Sequence, residues 1–368
     1  MKIENIGLAL SGGGIRAMVF HLGLFQWLAE NNLFEDVRRI SSVSGASLCV
    51  GMIYSHNNLR WPTSEEFLNT TMPAIKSALQ TNIQTAAILK LLHSPSYWNK
   101  KVNIIAKVLE NKWGVCGKMP QLVGDAMWYV NCTTYETGKR FRFCRNNMGD
   151  YQIGYVEKPD ISLSEVMAAS AGFPVLIGPY KLDTGKYTWT PSYYSGDEWQ
   201  SPSNKFLHLW DGGVYDNLGL ESVFKPDCGG TLSKGVGFLI VSNASTPIGS
   251  QIRKKGSSTK ALKRLVDISA DQVSAIRTRG VMDFIKRTGQ GMYVKIGKSA
   301  KDITKESNYP NEMKAQLIEQ CLSSEQVKRA LNYPTTLKKP LESDFQILFR
   351  HGYETANNTY HCYHDLIK

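Results

Sequence analysis

The residues from Ile6 to Leu10, IGLAL, form an unbroken apolar run that stops at Ser11 and three consecutive glycines, Gly12, Gly13 and Gly14. A continuous apolar run of this length, bounded by breakers, reads as a strand buried on both faces. From Gly14 to about Glu30 the apolar positions take helical spacing, and the pair Asn31 and Asn32 ends them. The stretch DVRRISSVSGASLCVGMIYS repeats the pattern, a strand running into a helix with Ser44 and Gly45 at the junction. Two strand-to-helix units in close succession predict a parallel sheet with crossover helices, hence an α/β fold.

Further on, the pattern from residue 59 to 118 turns mostly helical, with Trp61, Trp98 and Trp113 among polar residues, and reads as an inserted helical lobe. MWYVNCTTYETGKRFRFC alternates as a strand should and predicts a hairpin pairing Trp128–Thr134 with Arg140–Cys144. SLSEVMAASAGFPVLIGPY reads as a capped helix stopped by Gly172 and Pro174, and the aromatic YTWTPSYYSGDEW as a surface loop. FLHLWDGGVYDNLGL and GVGFLIVSNAS supply two more strands, with Asp211 ending the first; residues 250–368 are mainly helical. No repeat, long linker or low-complexity tract divides the chain, so residues 1–368 read as one domain.

Composition adds bounds. A chain of 368 residues, 42% hydrophobic and 20% charged, can bury a large core. Its seven cysteines are odd in number, scattered and without C-x-x-C pairs, which favours reduced thiols over disulfides or a zinc site. There is neither a signal-peptide pattern nor an apolar run of membrane-span length, so a cytoplasmic protein is expected. The net charge of +11 gathers in RKKGSSTKALKR and continues through Arg277, Arg279, Lys286 and Arg287. Such a run is either a solvated helix face or an attachment to an anionic membrane surface, which attracts basic side chains by roughly 1 kcal/mol each. Zinc-finger spacing and RNP-type aromatic motifs are missing, so no nucleic-acid partner is expected.

The glycine loop allows two chemistries. Gly12, Gly14 and Ala17 fit G-x-G-x-x-A, and amides at a helix start bind either a dinucleotide pyrophosphate or the oxyanion of acyl transfer. A dinucleotide site needs an acid at the end of the second strand, about 20 residues on; here Glu30, Glu35 and Asp36 all precede that strand, which ends in serines. The oxyanion reading is favoured. A nucleophile elbow puts its serine between small residues at −2 and +2, and Ser44 lies between Ser42 and Ala46. Ser47 falls inside the first helical turn and Ser42 inside the strand. A plain helix N-cap is the competing role for Ser44.

An aspartate can take the proton of such a serine only if burial raises its pKa from about 3.9. Asp211 at a strand end before two glycines fits, although D-G-G alone is also a turn; Asp216 more resembles a turn and helix start. An α/β-hydrolase triad would end in histidine, and His351, His361 and His364 follow Asp211, yet none stands at a strand end. His351 reads as a helix end or turn, and His21 as a packing or hydrogen-bonding residue. The aromatics Tyr97, Trp98, Trp113, Tyr193, Tyr194 and Trp199 shape an acyl pocket, rest at a bilayer or pack the core.

SGGGIRA at Ser11–Ala17, SVSGAS at Ser42–Ser47, SAGFP at Ser170–Pro174 and DGGVYDN at Asp211–Asn217 occur in the order and spacing of the patatin-like phospholipases, and SADQVSAIRTR and FRHGYETA resemble the C-terminal part of bacterial members. The resemblance covers most of the chain. It implies a three-layer α/β/α sandwich with a mainly parallel central sheet and hydrolysis of lipid acyl esters by a Ser-Asp dyad. It places Ser44 as nucleophile, Asp211 as base, Gly12, Gly13, Gly14 and Gly45 as oxyanion loop and Arg16 as its flanking cation. Two positions depart from the pattern: Ala17 stands where glycine is common, and the elbow lacks its leading glycine. No metal or nucleotide cofactor is expected. The implied partner is a membrane phospholipid or other acyl-ester lipid, with an activating ligand or protein as a further expectation. A soluble esterase or thioesterase with the same dyad, and a non-hydrolytic nucleotide-binding or sensor module, are the competing functions.

Overall fold

The structure, a computed structural model, describes residues 3–93, 101–172, 178–193, 199–226, 229–246, 258–305, 307 and 310–363. Its strands are β1 (Ile6–Leu10), β2 (Val37–Val43), β3 (Met127–Thr134), β4 (Arg140–Phe143), β5 (Asn147–Asp150), β6 (Gly154–Glu157), β7 (Tyr180–Asp183), β8 (Phe206–Asp211), β9 (Phe224–Lys225), β10 (Thr231–Leu232), β11 (Phe238–Asn243) and β12 (Gly291–Lys295). The helices are α1 (Gly14–Glu30), α2 (Gly45–Ser55), α3 (Ser64–Glu66), α4 (Met72–Ala78), α5 (Ile83–Leu92), α6 (Lys101–Trp113), α7 (Leu163–Ser170), α8 (Gly213–Asp216), α9 (Ser258–Thr288), α10 (Ala300–Thr304), α11 (Asn311–Gln320), α12 (Ser324–Asn332) and α13 (Glu342–Tyr363).

The central sheet is mixed. It is parallel in the order β12-β11-β1-β2-β3 and continues antiparallel through β4, β5 and β6, with β8 and β7 branching from β3. The all-apolar β1 lies between β2 and β11 with all five residues buried, which is why it carries no polar alternation. The β3–β4 hairpin pairs Val130–Thr133 with Arg140–Phe143 around the turn that Glu136–Lys139 predicts.

Helices cover both faces. α1, α2, α7 and α13 bury the main core, in which Phe20, Phe25, Trp27, Phe34 and Trp128 are fully enclosed. A second cluster, with Leu218, Leu220, Phe224, Val281 and Phe284 over Ala9, Leu239 and Val241, seats the end of α9 and the chain before β9 on the opposite face. Burying such side chains contributes roughly 1.5–3 kcal/mol each. Leu265, Ile268, Val273 and Ile276 are exposed along α9. Residues 253–257 of the basic run lie outside the described residues, as do Tyr97, Trp98, Phe173, Pro174, Tyr194 and His364.

Of the aromatics of the helical lobe, Trp61 and Trp113 pack the core, with Trp61 stacked on Phe34 and its indole N–H donating to the Phe34 carbonyl. Other expectations are corrected. The aromatic loop is not all surface: Trp189 is buried and Trp199 packs against the core, whereas Tyr193 is exposed. His351 lies within α13, not at a helix end, because the apolar spacing of Phe345, Leu348 and Phe349 continues through Ala356 on one buried face. Among the described residues no helix is long and apolar enough to cross a membrane.

Candidate active site

The long strand β3 brings the two halves of the site together. Its residues Met127–Asn131 pair in parallel with Arg39–Val43 of β2, and its next residues, Cys132–Thr134, pair antiparallel with Asp211–Leu209 of β8. Val43 and Asp211 therefore end against consecutive residues of one strand. Ser44, the next residue after Val43, arrives beside Asp211 although 167 positions separate them in the chain.

Ser44 has φ 54° and ψ −120°, a conformation that L-residues rarely adopt and that costs on the order of 1–3 kcal/mol. What holds it is a directed chain of buried hydrogen bonds. The Trp128 indole N–H donates to Ser42 Oγ (2.8 Å), and Ser42 and Ser47 share a bond of 2.9 Å. Ser47 and Ser170 share another of 2.9 Å, and Ser170 donates to the Asn131 carbonyl at 2.8 Å. Because the single Ser170 proton goes to Asn131, Ser170 Oγ is left as acceptor for the Ser44 N–H, at 3.0 Å. Ser42 and Ser47, the competing serines, are fully buried and committed to this chain, whereas Ser44 retains 8% exposure. Ser44 does not cap α2 with its side chain.

Asp211 is buried, accepts the Gly213 N–H at 2.7 Å and has the Ser44 hydroxyl beside it, which favours its charged form. Burial raises its pKa from 3.8 to about 6; the Ser44 hydroxyl and the Gly213 N–H oppose that shift. This places the carboxylate in the range of a general base near neutrality. Its backbone N–H donates to the Gly172 carbonyl, which ties β8 to the segment after α7.

The glycine loop passes directly beside the elbow. A Cβ on Gly45 would come within 2.0 Å of the Gly14 carbonyl oxygen, and one on Gly12 within 3.0 Å of Ser44 Cβ, so only glycine lets these two turns touch. The Gly12 N–H donates to the Asn217 carbonyl (3.2 Å) and the Ile15 N–H to the Thr336 carbonyl (2.9 Å). Among the described residues the amides of Gly13, Gly14 and Gly45 have no protein acceptor, so the donors left for an oxyanion are these, with Gly12 occupied. Arg16 is buried, donating through Nε to the Ala244 carbonyl (3.1 Å) and through Nη1 to that of Tyr333 (2.6 Å); burial lowers its pKa to about 10. These two bonds tie the glycine loop to the ends of β11 and α12, and Nη2 lies beside Gly13.

His21 and His351 are engaged away from Ser44. His21 is fully buried with Nδ1 against Ser242 Oγ (3.0 Å) and Nε2 against the Ser11 carbonyl (2.9 Å), and burial lowers its pKa to about 4, leaving the ring neutral. His351 Nε2 accepts the Gly297 N–H at 2.8 Å. Asp216 turns away from Ser44, accepting the Leu218 and Leu220 N–H groups and pairing with Arg277 at 3.3 Å. Ser170 and Asn217, which sequence reasoning left without a role, complete the site; both lie inside quoted motifs, but their contacts span long sequence separations.

The fold and this junction define an α/β protein whose candidate chemistry lies at the carboxyl ends of parallel strands, where open sheets of this class bind ligands. The model of the patatin-like phospholipase family matches residues 8–224, more than half of the chain, and the chain belongs to that family. Among solved structures it is similar to the human GIVD cytosolic phospholipase A2, with a TM-score of 0.53, 14% identity and coverage of 96% of this chain. This chain spans 58% of the length of that structure. VipD from Legionella pneumophila is also similar, with a TM-score of 0.34, 16% identity and coverage of 89% of this chain and 67% of VipD. Comparison with curated proteins gives no match.

Proposed function

We propose that the chain is a lipid acyl hydrolase of the phospholipase A type that works through an acyl-Ser44 intermediate. The observation that carries this reading is a strained serine, at a strand-to-helix turn, brought by β3 beside a buried aspartate whose pKa burial raises to about 6. Ser44 Oγ attacks the ester carbonyl carbon while its proton passes to Asp211. The carbonyl oxygen gains the charge and is held by the free amides of Gly13, Gly14 and Gly45, a contribution that in comparable sites is about 2.7–4 kcal/mol for one donor. As the tetrahedral species collapses, the alcohol oxygen leaves with the proton from Asp211. Asp211 then takes a proton from water, which attacks the acyl-serine and releases the fatty acid, restoring Ser44.

The lipid part of the reading is supported by family membership, and the net charge of +11 fits work at an anionic surface as a peripheral, cytoplasmic enzyme. The test is hydrolysis of phosphatidylglycerol vesicles beside p-nitrophenyl butyrate, with the Ser44→Ala variant as control. Release of fatty acid from vesicles that is lost in the variant supports a lipase. Activity on the soluble ester alone makes the protein an esterase, and activity on neither, with ligand binding indifferent to Ser44, makes it a sensor.

A further inference from the structure

The sheet carries a second arrangement of charge away from the dyad. On the face opposite Trp128 and Val130, the side chains run Arg39 on β2, Tyr129 on β3, Arg142 on β4 and Tyr155 on β6. The Arg39 guanidinium lies 5.3 Å from the Tyr129 ring centre, and Arg142 lies 5.8 Å from the Tyr129 ring and 5.4 Å from that of Tyr155. Gly149 of β5, cross-strand from both Arg142 and Tyr155, makes this ladder close: a Cβ there would sit 2.8 Å from the Tyr155 ring, so glycine lets the ring lean over β5 toward Arg142.

The cations of this face are not equally satisfied. Arg39 donates to the Ser222 and Lys234 carbonyls, and Arg140 is paired with Glu221 and bonded to Ser222 Oγ. Arg142 has two aromatic faces and no hydrogen-bond acceptor or carboxylate among the described residues, and its Nε is enclosed without a partner. It also stands close enough to Arg140 to disfavour the charge there. A guanidinium donor left buried and unpaired is unfavourable. A planar guanidinium flanked by two rings, with no acceptor for its terminal Nη1 and Nη2 donors among the described residues, can meet a forked anion through that pair, and a phosphoryl group in particular.

We propose that Arg142, framed by Tyr129 and Tyr155 with Arg39 and Arg140 alongside, is a binding site for a phosphoryl group, borne either by a lipid headgroup or by a soluble phosphate compound. The site is independent of the Ser44 reaction. In the sheet, Val43, Asn131 and Arg142 are cross-strand neighbours, so the site is two strands, roughly 10 Å, from the elbow.

The experiment uses the full chain carrying Ser44→Ala, so that lipid is not turned over, and compares it with the same chain carrying Arg142→Gln. Inorganic phosphate is titrated by calorimetry against sodium chloride of matched ionic strength, and flotation is measured with phosphatidylcholine vesicles containing phosphatidic acid. The expected result is saturable phosphate binding, weakened about tenfold or more by Arg142→Gln. If vesicle capture falls in parallel and phosphate competes with it, the phosphoryl group is a headgroup; if only free phosphate depends on Arg142, it is a soluble compound. Absence of saturable phosphate binding, or equal binding by both chains, overturns the proposal. Should Arg142→Gln fail to fold, Arg142→Lys keeps the charge without the planar fork, and wild-type phosphate affinity in that variant overturns the proposal equally.

Discussion

Asp211→Asn should make the protein more stable and less active at once. In the folded chain the Asp211 carboxyl has a pKa of about 6, against 3.8 for an ordinary aspartate. Below pH 3.8 the folded and unfolded chains are both protonated at this group and it contributes no penalty. Between pH 3.8 and 6 the unfolded chain gives up the proton first, and above pH 6 the folded chain carries a buried carboxylate in full. That difference corresponds to about 3 kcal/mol of stability forfeited at neutral pH. Asparagine is neutral at every pH and its Oδ1 still accepts the Gly213 N–H, so the variant should gain about 1–3 kcal/mol at pH 8, the lower end allowing for a poorer contact with Ser44. Urea unfolding of both proteins at pH 8 and at pH 4 measures it. A gain at pH 8 that shrinks toward pH 4, with ester hydrolysis abolished, is the expected outcome. A variant less stable than wild type at pH 8, or a difference that ignores pH, would refute the burial argument.

Three further outcomes follow from the same geometry. The rate on a soluble ester should climb with pH and level off above an apparent pKa near 6, because the base must be ionised to accept the Ser44 proton; a bell centred on a histidine pKa would speak against the dyad. Ser170→Ala removes the acceptor of the Ser44 N–H and breaks the Trp128–Ser42–Ser47 chain at its end. It should lower kcat about 10- to 100-fold with KM little changed, measured by initial rates, and cost on the order of 1–3 kcal/mol in unfolding. Gly45→Ala places a methyl 2.0 Å from the Gly14 carbonyl, so the elbow and the glycine loop must separate; a loss of about 100-fold or more in kcat/KM is expected, on the scale of removing an oxyanion donor.

What could be read along the chain was whatever local chemistry enforces. The apolar run Ile6–Leu10, the glycines after it and the strand-to-helix step at Ser44 each announce themselves within a few residues, and the structure has β1, α1, β2 and α2 there. The raised carboxyl of Asp211 was expected as a requirement of the chemistry. Its cause, however, is tertiary: β8 pairs with the part of β3 that outlasts β2. Arg16 shows the limit most clearly. Its motif is local, but its partners, Ala244 and Tyr333, lie 228 and 317 positions away, and no spacing rule reveals them. Core packing was among the roles open to the tryptophans, but their partners were not legible, since Trp61 is enclosed by Phe25, Phe34 and Tyr54, drawn from different helices and loops.

The central claim is that Ser44 is activated by Asp211, and covalent labelling tests it most directly. The purified protein is treated with a fluorophosphonate, the adduct is located by peptide mass spectrometry, and Asp211→Asn is run in parallel. A single adduct on Ser44 whose rate of formation collapses in Asp211→Asn is the result the structure predicts. Labelling of Ser44 that proceeds equally fast without the carboxylate, or an adduct on another serine, would contradict it.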